Sequence, residues 1–238
     1  MAVRETTLMG PTPVVLLGST GSIGTQAREV IEAHRGRFDV LGLSAGGSSI
    51  NELAVQIVAL EPAFVGVARD VREELAAAVT LMGGTCPEVF VGEDASVEVV
   101  CASVERAAVL YPQATPVVLN GITGGVGLSS TLAALRCGAR LALANKESLV
   151  VGGALVKNVM RLPGQIVPVD SEHSAIAQAL ASGVHEKGLT SPVVSGRSEV
   201  ADLVLTASGG PFRGRTREQL RGVRAAQALA HPTWDMGP

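Results

Sequence analysis

Short apolar runs alternate with amphipathic stretches along most of this chain. Runs of strand length lie at Val14–Leu17, Val40–Leu43, Phe64–Ala68, Glu88–Val91, Val117–Leu119, Leu141–Ala144, Gln165–Val169 and Leu203–Leu205. Between the first two, Ile23, Ala27, Val30 and Ile31 recur at helical spacing, and Ile50, Leu53, Ala54 and Ile57 repeat that spacing before the third. Buried apolar strands separated by amphipathic helices predict an α/β fold, a parallel sheet covered on both faces. Ala181–Val200 breaks the rhythm: three glycines, four serines and a proline with few apolar anchors predict an exposed, mobile insertion. No internal repeat is evident.

Composition narrows the function. At 238 residues the chain suits one large domain or two small ones, and 47% apolar against 17% charged residues predicts a well-filled interior. A net charge of -3 with scattered basic residues argues against nucleic acid, and 3% aromatics leave little for base stacking. Cys86, Cys101 and Cys137 have no metal or redox spacing and read as small buried hydrophobes in a reducing compartment. No apolar run is long enough to span a bilayer, and the Met1–Thr12 tail, expected to be flexible, lacks an apolar signal core. A cytoplasmic protein without membrane or nucleic-acid partners is expected.

Two segments carry most of the chemistry. In LLGSTGSIGTQA, Gly18, Gly21 and Gly24 lie between a strand and a helix. Gly18 would permit the tight turn, Gly21 the approach of a pyrophosphate and Gly24 close helix packing, with the helix N-terminus favouring the anion. The spacing is looser than G-x-G-x-x-G, but the setting at the first strand points to a dinucleotide. The second strand runs into SAGGSSI (Ser44–Ile50) without the acid that holds a ribose 2′-hydroxyl, so NADP is preferred. No arginine stands in that turn; Ser48, Ser49 and backbone N–H groups, or Arg69 from beyond the third strand, are left to hold a 2′-phosphate. The second segment is VPVDSEHSA, where Asp170 and Glu172 flank Ser171 at a strand exit. Two such carboxylates suit a hard divalent cation, and the hydroxyl between them an oxygen-rich ligand.

Further motifs sit at strand ends. In LALANKESLV, Lys146 opens a helix, where the dipole disfavours it, and could hold a substrate oxygen or phosphate. LTASGGPFRG offers Ser208 and two glycines as an anion nest, or a simple turn. AHPTWDMGP places His231 and the single tryptophan, Trp234, in a loop bounded by Pro and Gly that could cover a ligand.

In this order and at these separations, GSTGSIG, LANKESLV, PVDSEHSAI, TASGGPFR and HPTWDMG resemble the 1-deoxy-D-xylulose 5-phosphate reductoisomerase family, over roughly Val14–Pro238. The resemblance implies a Rossmann-like NADPH-binding domain at 13–169, then the first part of an α/β catalytic domain at 170–238. It implies conversion of deoxyxylulose phosphate to 2-C-methyl-D-erythritol 4-phosphate in non-mevalonate isoprenoid biosynthesis, with NADPH and Mg²⁺, Mn²⁺ or Co²⁺. Thr20, Gly21, Ser22, Ile23, Gly46, Asn145, Glu147 and Gly237 would contact NADPH. Asp170 and Glu172 would be metal ligands. Catalytic roles would fall to Lys146, Glu172 and His231, and substrate contacts to Lys146, Ser171, Glu172, Ser208, His231 and Trp234, the last in a lid. The resemblance also implies a homodimer.

The chain departs from that pattern in places. Gly47 and Ser48 stand where the family often has lysine and asparagine, and Asn120–Gly127 is unusually glycine-rich. The family continues past Met236-Gly237 into further phosphate contacts, a third carboxylate ligand and a helical domain. The expectation is therefore a truncated form, a weakly active or inactive NADP-binding fragment of the enzyme. Two other oxidoreductase classes fit poorly. The single tyrosine, Tyr111, has Thr115 where a Tyr-x-x-x-Lys pair needs lysine, and Cys137 lacks a local activating histidine.

Overall fold

The computed structural model describes residues 10–185, 196–206 and 210–230. Seven parallel strands form one sheet: β1 (Thr12–Leu17), β2 (Phe38–Ala45), β3 (Phe64–Val67), β4 (Glu88–Val91), β5 (Val117–Asn120), β6 (Arg140–Leu143) and β7 (Ile166–Pro168). Their spatial order is β4-β3-β2-β1-β5-β6-β7. Helices α1 (Ser22–Ala33), α2 (Ile50–Leu60), α3 (Arg72–Leu81), α4 (Ala95–Leu110), α5 (Gly127–Arg136), α6 (Glu147–Val159) and α7 (Ser171–Leu180) follow the successive strands. A single turn of 3₁₀ helix at Gly210–Phe212 and a short α8 (Ala225–Leu229) lie beyond.

The alternation of side chains along β1 explains why its apolar run is unbroken. Val14 and Leu16 face one side, where they pack with Ile31 of α1, Leu53 and Ile57 of α2, and Leu75 and Val79 of α3. Val15 and Leu17 face the other, with Val99 and Val100 of α4, Ala134 and Leu135 of α5, and Val156 of α6. Both faces are dry, so neither set of positions could be polar. The strand order reverses at β1, which pairs with β2 on one side and β5 on the other. Loops leaving the carboxyl ends of β1 and β5 therefore diverge there, which is where open α/β sheets bind ligands.

Seven of the eight expected strands are present, with ends shifted by no more than two residues. The eighth is not: Leu203–Leu205 forms no strand and is largely exposed. Its run is too short to carry a strand without a ladder partner, and none of the described residues offers one. On α1, Ile31 is buried and Ile23 and Ala27 are partly covered, whereas Val30 is exposed at the margin of the apolar stripe. The tail boundary also moves, since Thr12 already belongs to β1 and donates to Arg37 O at 2.9 Å. Residues 1–9 lie outside the described residues. The described ends of the Ala181–Val200 stretch are mostly exposed and meet each other: His185 and Ser198, both half-buried, form an antiparallel bridge, and Val184 N donates to Glu199 Oε2 at 2.9 Å. No described helix is long and apolar enough to cross a membrane.

All three cysteines are free and only partly buried, not core residues as expected. Cys101 and Cys137 sulfurs lie 3.8 Å apart between α4 and the end of α5. Burial first, and then the neighbouring Cys101 thiol, pushes the Cys137 thiol up to about 11. Such a shift favours the thiol over the nucleophilic thiolate. Tyr111 is likewise far from the carboxyl edge of the sheet, its hydroxyl donating to Asp39 Oδ2 at 2.6 Å near the amino end of β2. Both alternative oxidoreductase readings lose their key residue.

A buried polar network ties the β5 and β6 exits together. Asn120 Nδ2 donates to Gly127 O and to Thr131 Oγ1, both at 2.9 Å. Asn145 Nδ2 donates to Ile122 O and to Gly124 O, and its Oδ1 accepts from Ser148 N at 2.8 Å and from the Ser148 hydroxyl. Asn145→Ala leaves two loop carbonyls and the α6 N-terminus without partners. It is expected to lower unfolding stability by about 3 kcal/mol in urea titration. At pH 8, Cys137 in the native protein is expected to react with iodoacetamide roughly two orders of magnitude more slowly than free cysteine, read by peptide mass spectrometry.

Candidate functional site

The carboxyl edge of the sheet collects the chemistry-bearing residues. The turn after β1 is shaped by backbone contact. Gly18 has φ +70°, and a Cβ there would lie 2.8 Å from Gly121 C and O, in the loop after β5. At Gly24 a Cβ would lie 2.2 Å from Ser19 O, so no larger residue lets α1 begin so close to the turn. Helix α1 starts with Gly21 as its N-cap, no side chain capping it and no acid in its first turn. Its first N–H groups have no intrahelical acceptor. Ser19 Oγ, fully buried in the same turn, has no hydrogen-bond partner. Unused donors, an uncapped dipole and an absence of side-chain bulk fit a pyrophosphate. Thr20 and Gly21 lie in this turn, and Ser22 and Ile23 open α1.

Gly46 is exposed at the β2 exit, and nothing lies within 4 Å of where its Cβ would be. Glu147 is exposed at the start of α6. Asn145 sits beside it but is 2% exposed, with both amide hydrogens directed to loop carbonyls. Its side chain is thus committed to the scaffold.

Two and three strands from β1, the β6 and β7 exits bring a second group together, roughly 10 to 14 Å across the sheet. Lys146 Nζ lies 3.1 Å from Asp170 Oδ2 across these neighbouring strands. Asp170 is the N-cap of α7, yet its carboxylate makes no capping bond. An N-cap aspartate ordinarily turns inward to its helix; this one faces Lys146 instead. Ser171 Oγ donates to Glu172 Oε2 at 3.0 Å. Hydrogen bonds from its own backbone N–H and from Ser171 hold the Glu172 carboxyl below the usual carboxylate range. Burial works against the Lys146 ammonium, but the hydrogen bond and charge of Asp170, with Glu172 and Glu147, outweigh it and raise its pKa. Lys146 and Glu172 are therefore both charged at neutral pH.

Asp170, Glu172 and His173 each offer a ligand atom within 4.8 Å of the others. Two hard oxygen donors with an adjacent imidazole suit a divalent cation such as Mg²⁺ or Mn²⁺. Lys146 supplies the positive charge that such an ion would otherwise bring to Asp170. The sequence signal for His173 is its place three residues after Asp170, one helical turn on. Ser208, His231, Trp234 and Gly237 lie outside the described residues.

The profile of 1-deoxy-D-xylulose 5-phosphate reductoisomerase matches residues 14–153, and that of the C-terminal domain of the same enzyme matches 166–238. A reductoisomerase of Beutenbergia cavernae is 56% identical over 230 residues, covering 97% of this chain and 52% of the relative. That of Kitasatospora griseola is 53% identical over 228 residues, covering 94% and 53%. The chain thus spans about half the length of the curated relatives it matches. Among solved structures, a DOX-P reductoisomerase in complex with NADPH, fosmidomycin and magnesium superposes with TM-score 0.67 at 29% identity, over 95% of this chain and 52% of that one. The Zymomonas mobilis enzyme in complex with NADPH gives TM-score 0.67 at 31% identity, over 92% and 51%. With both profiles matched in order, and the glycine turn and carboxylate cluster on one sheet edge, this chain belongs to the 1-deoxy-D-xylulose 5-phosphate reductoisomerase family.

Proposed function

We propose that this chain serves the NADPH- and divalent-metal-dependent conversion of 1-deoxy-D-xylulose 5-phosphate to 2-C-methyl-D-erythritol 4-phosphate. The observation that carries this reading is the Lys146–Asp170 contact beside Ser171 and Glu172, on the same edge as the uncapped α1 N-terminus. In this reading residues 13–169 bind the nucleotide and 170–238 contribute to the catalytic part.

The N-terminus of α1 would bind the pyrophosphate, while Gly46 would leave room for the adenosine end and Glu147 would be a further nucleotide contact. Asp170 and Glu172 hold the cation, with His173 able to join or to orient them. When bound, NADPH supplies hydride and the cation polarises the substrate ketone. Lys146, kept protonated by its acidic neighbours, holds a negatively charged substrate oxygen. The Ser171 hydroxyl can turn from Glu172 to a substrate oxygen. Ser208, His231 and Trp234 complete the substrate contacts by family resemblance.

Calorimetric titration with NADPH, then Mn²⁺, then substrate tests the reading. NADPH is expected to bind, and Mn²⁺ to bind weakly until substrate oxygens join the two carboxylates. Binding of both without product would assign the chain a cofactor-holding role in the enzyme; failure to bind NADPH would refute the proposal. Asp170→Asn and Glu172→Gln should each weaken Mn²⁺ binding about 10-fold or more while leaving NADPH affinity within about twofold, because the two sites sit on different strands. Lys146→Met should weaken substrate binding about 10- to 100-fold without changing nucleotide affinity, read by the same titrations.

A further inference from the structure

We propose that Arg69 recognises the 2′-phosphate of the nucleotide and sets the preference for NADPH over NADH, an inference that rests on the dinucleotide reading above. The turn after β2 has no acid to accept a ribose 2′-hydroxyl and no basic residue of its own. The parallel pairing of β2 with β3 supplies the missing cation. Ala45 is paired with Val67, and Ala68 N donates to Ala45 O at 3.3 Å, so the two strands end side by side. Arg69, one residue on, reaches over the turn and donates from Nη2 to Gly47 O at 2.8 Å.

The turn is built to receive it. Gly47 has φ +84°, and a Cβ there would lie 3.4 Å from Val71 Cγ2 and 3.7 Å from Arg69 Cβ, so the glycine lets the two loops lie against each other. Nearby acids are mostly engaged elsewhere: Asp70 pairs with Arg72 at 2.7 Å and Glu52 with Arg28 at 3.1 Å. Glu52 and Glu74 both border the depression that Ser48 and Ser49 line, so a phosphate entering the turn needs a cation close by. Arg69 has no carboxylate partner among the described residues. One bond to a carbonyl leaves the other donors of its planar fork for phosphate oxygens. Ser49, the N-cap of α2, makes no capping bond and adds a free hydroxyl to the same turn.

The test compares NADPH and NADH binding to the full chain by calorimetry, for wild type, Arg69→Gln and Arg69→Lys, with thermal melts as a folding control. Wild type is expected to prefer NADPH. Arg69→Gln should weaken NADPH about 10- to 100-fold and leave NADH within about twofold, with Arg69→Lys between. Equal losses for both nucleotides would mean that Arg69 only staples the turn, and an unchanged NADPH preference would overturn the proposal while leaving the dinucleotide reading intact. Wild type binding neither nucleotide would overturn both. Should Arg69→Gln fail to fold, Arg69→Lys decides: a loss confined to NADPH supports the assignment, and a loss shared with NADH, or none, refutes it.

Discussion

The central strand β1 is the constraint from which the rest follows. It is paired on both edges and buried on both faces from Val14 to Leu17, so those four positions must be apolar, and both its neighbours run parallel to it. Parallel strands all point their carboxyl ends the same way. Residues as far apart as Gly18, Gly46, Arg69, Asn120, Lys146 and Asp170 therefore arrive at one edge, although no local interaction draws them together. The reversal of order at β1 then opens the crevice into which α1 presents its N-terminus.

Along this edge the polar groups divide by burial. Asn120 and Asn145 are sequestered, and every hydrogen-bonding group they carry is spent holding the β5 and β6 loops to α5 and α6. Leaving such a group unpaired would cost more than the bond itself contributes, which makes the network a rigid base. Lys146 and Asp170 stand on that base but are partly open to solvent. There their mutual attraction contributes little to stability, while the charges stay available to an incoming anion and cation. The carboxylate of Asp170 has also given up its ordinary capping role, so the α7 N-terminus is left less well satisfied than it could be. Such a departure from local preference is expected where a residue serves a ligand instead of its own helix.

Much of this was legible beforehand. Runs such as Val14–Leu17 and Leu141–Ala144 announce strands because parallel strands lose both faces to the core. The glycine turn and the Asp170–Ser171–Glu172 segment are readable because their chemistry lies within a few consecutive residues. Leu203–Leu205 misled because a three-residue apolar run says nothing about whether a ladder partner exists. The partners of the Asn145 amide, Ile122 and Gly124, lie more than twenty residues away along the chain, so the motif around Asn145 does not announce them.

By itself, then, the sequence determined the alternation of elements, the apolar character of the sheet and the short segments suited to a pyrophosphate and a divalent cation. These depend on period and on neighbours along the chain. Only the tertiary structure decided which side chains meet: Lys146 with Asp170, His173 with the two carboxylates, and Arg69 with Gly47 across the β2–β3 exits. Those encounters are set by strand order and register, which arise from packing a whole sheet between two layers of helices and are carried by no single segment.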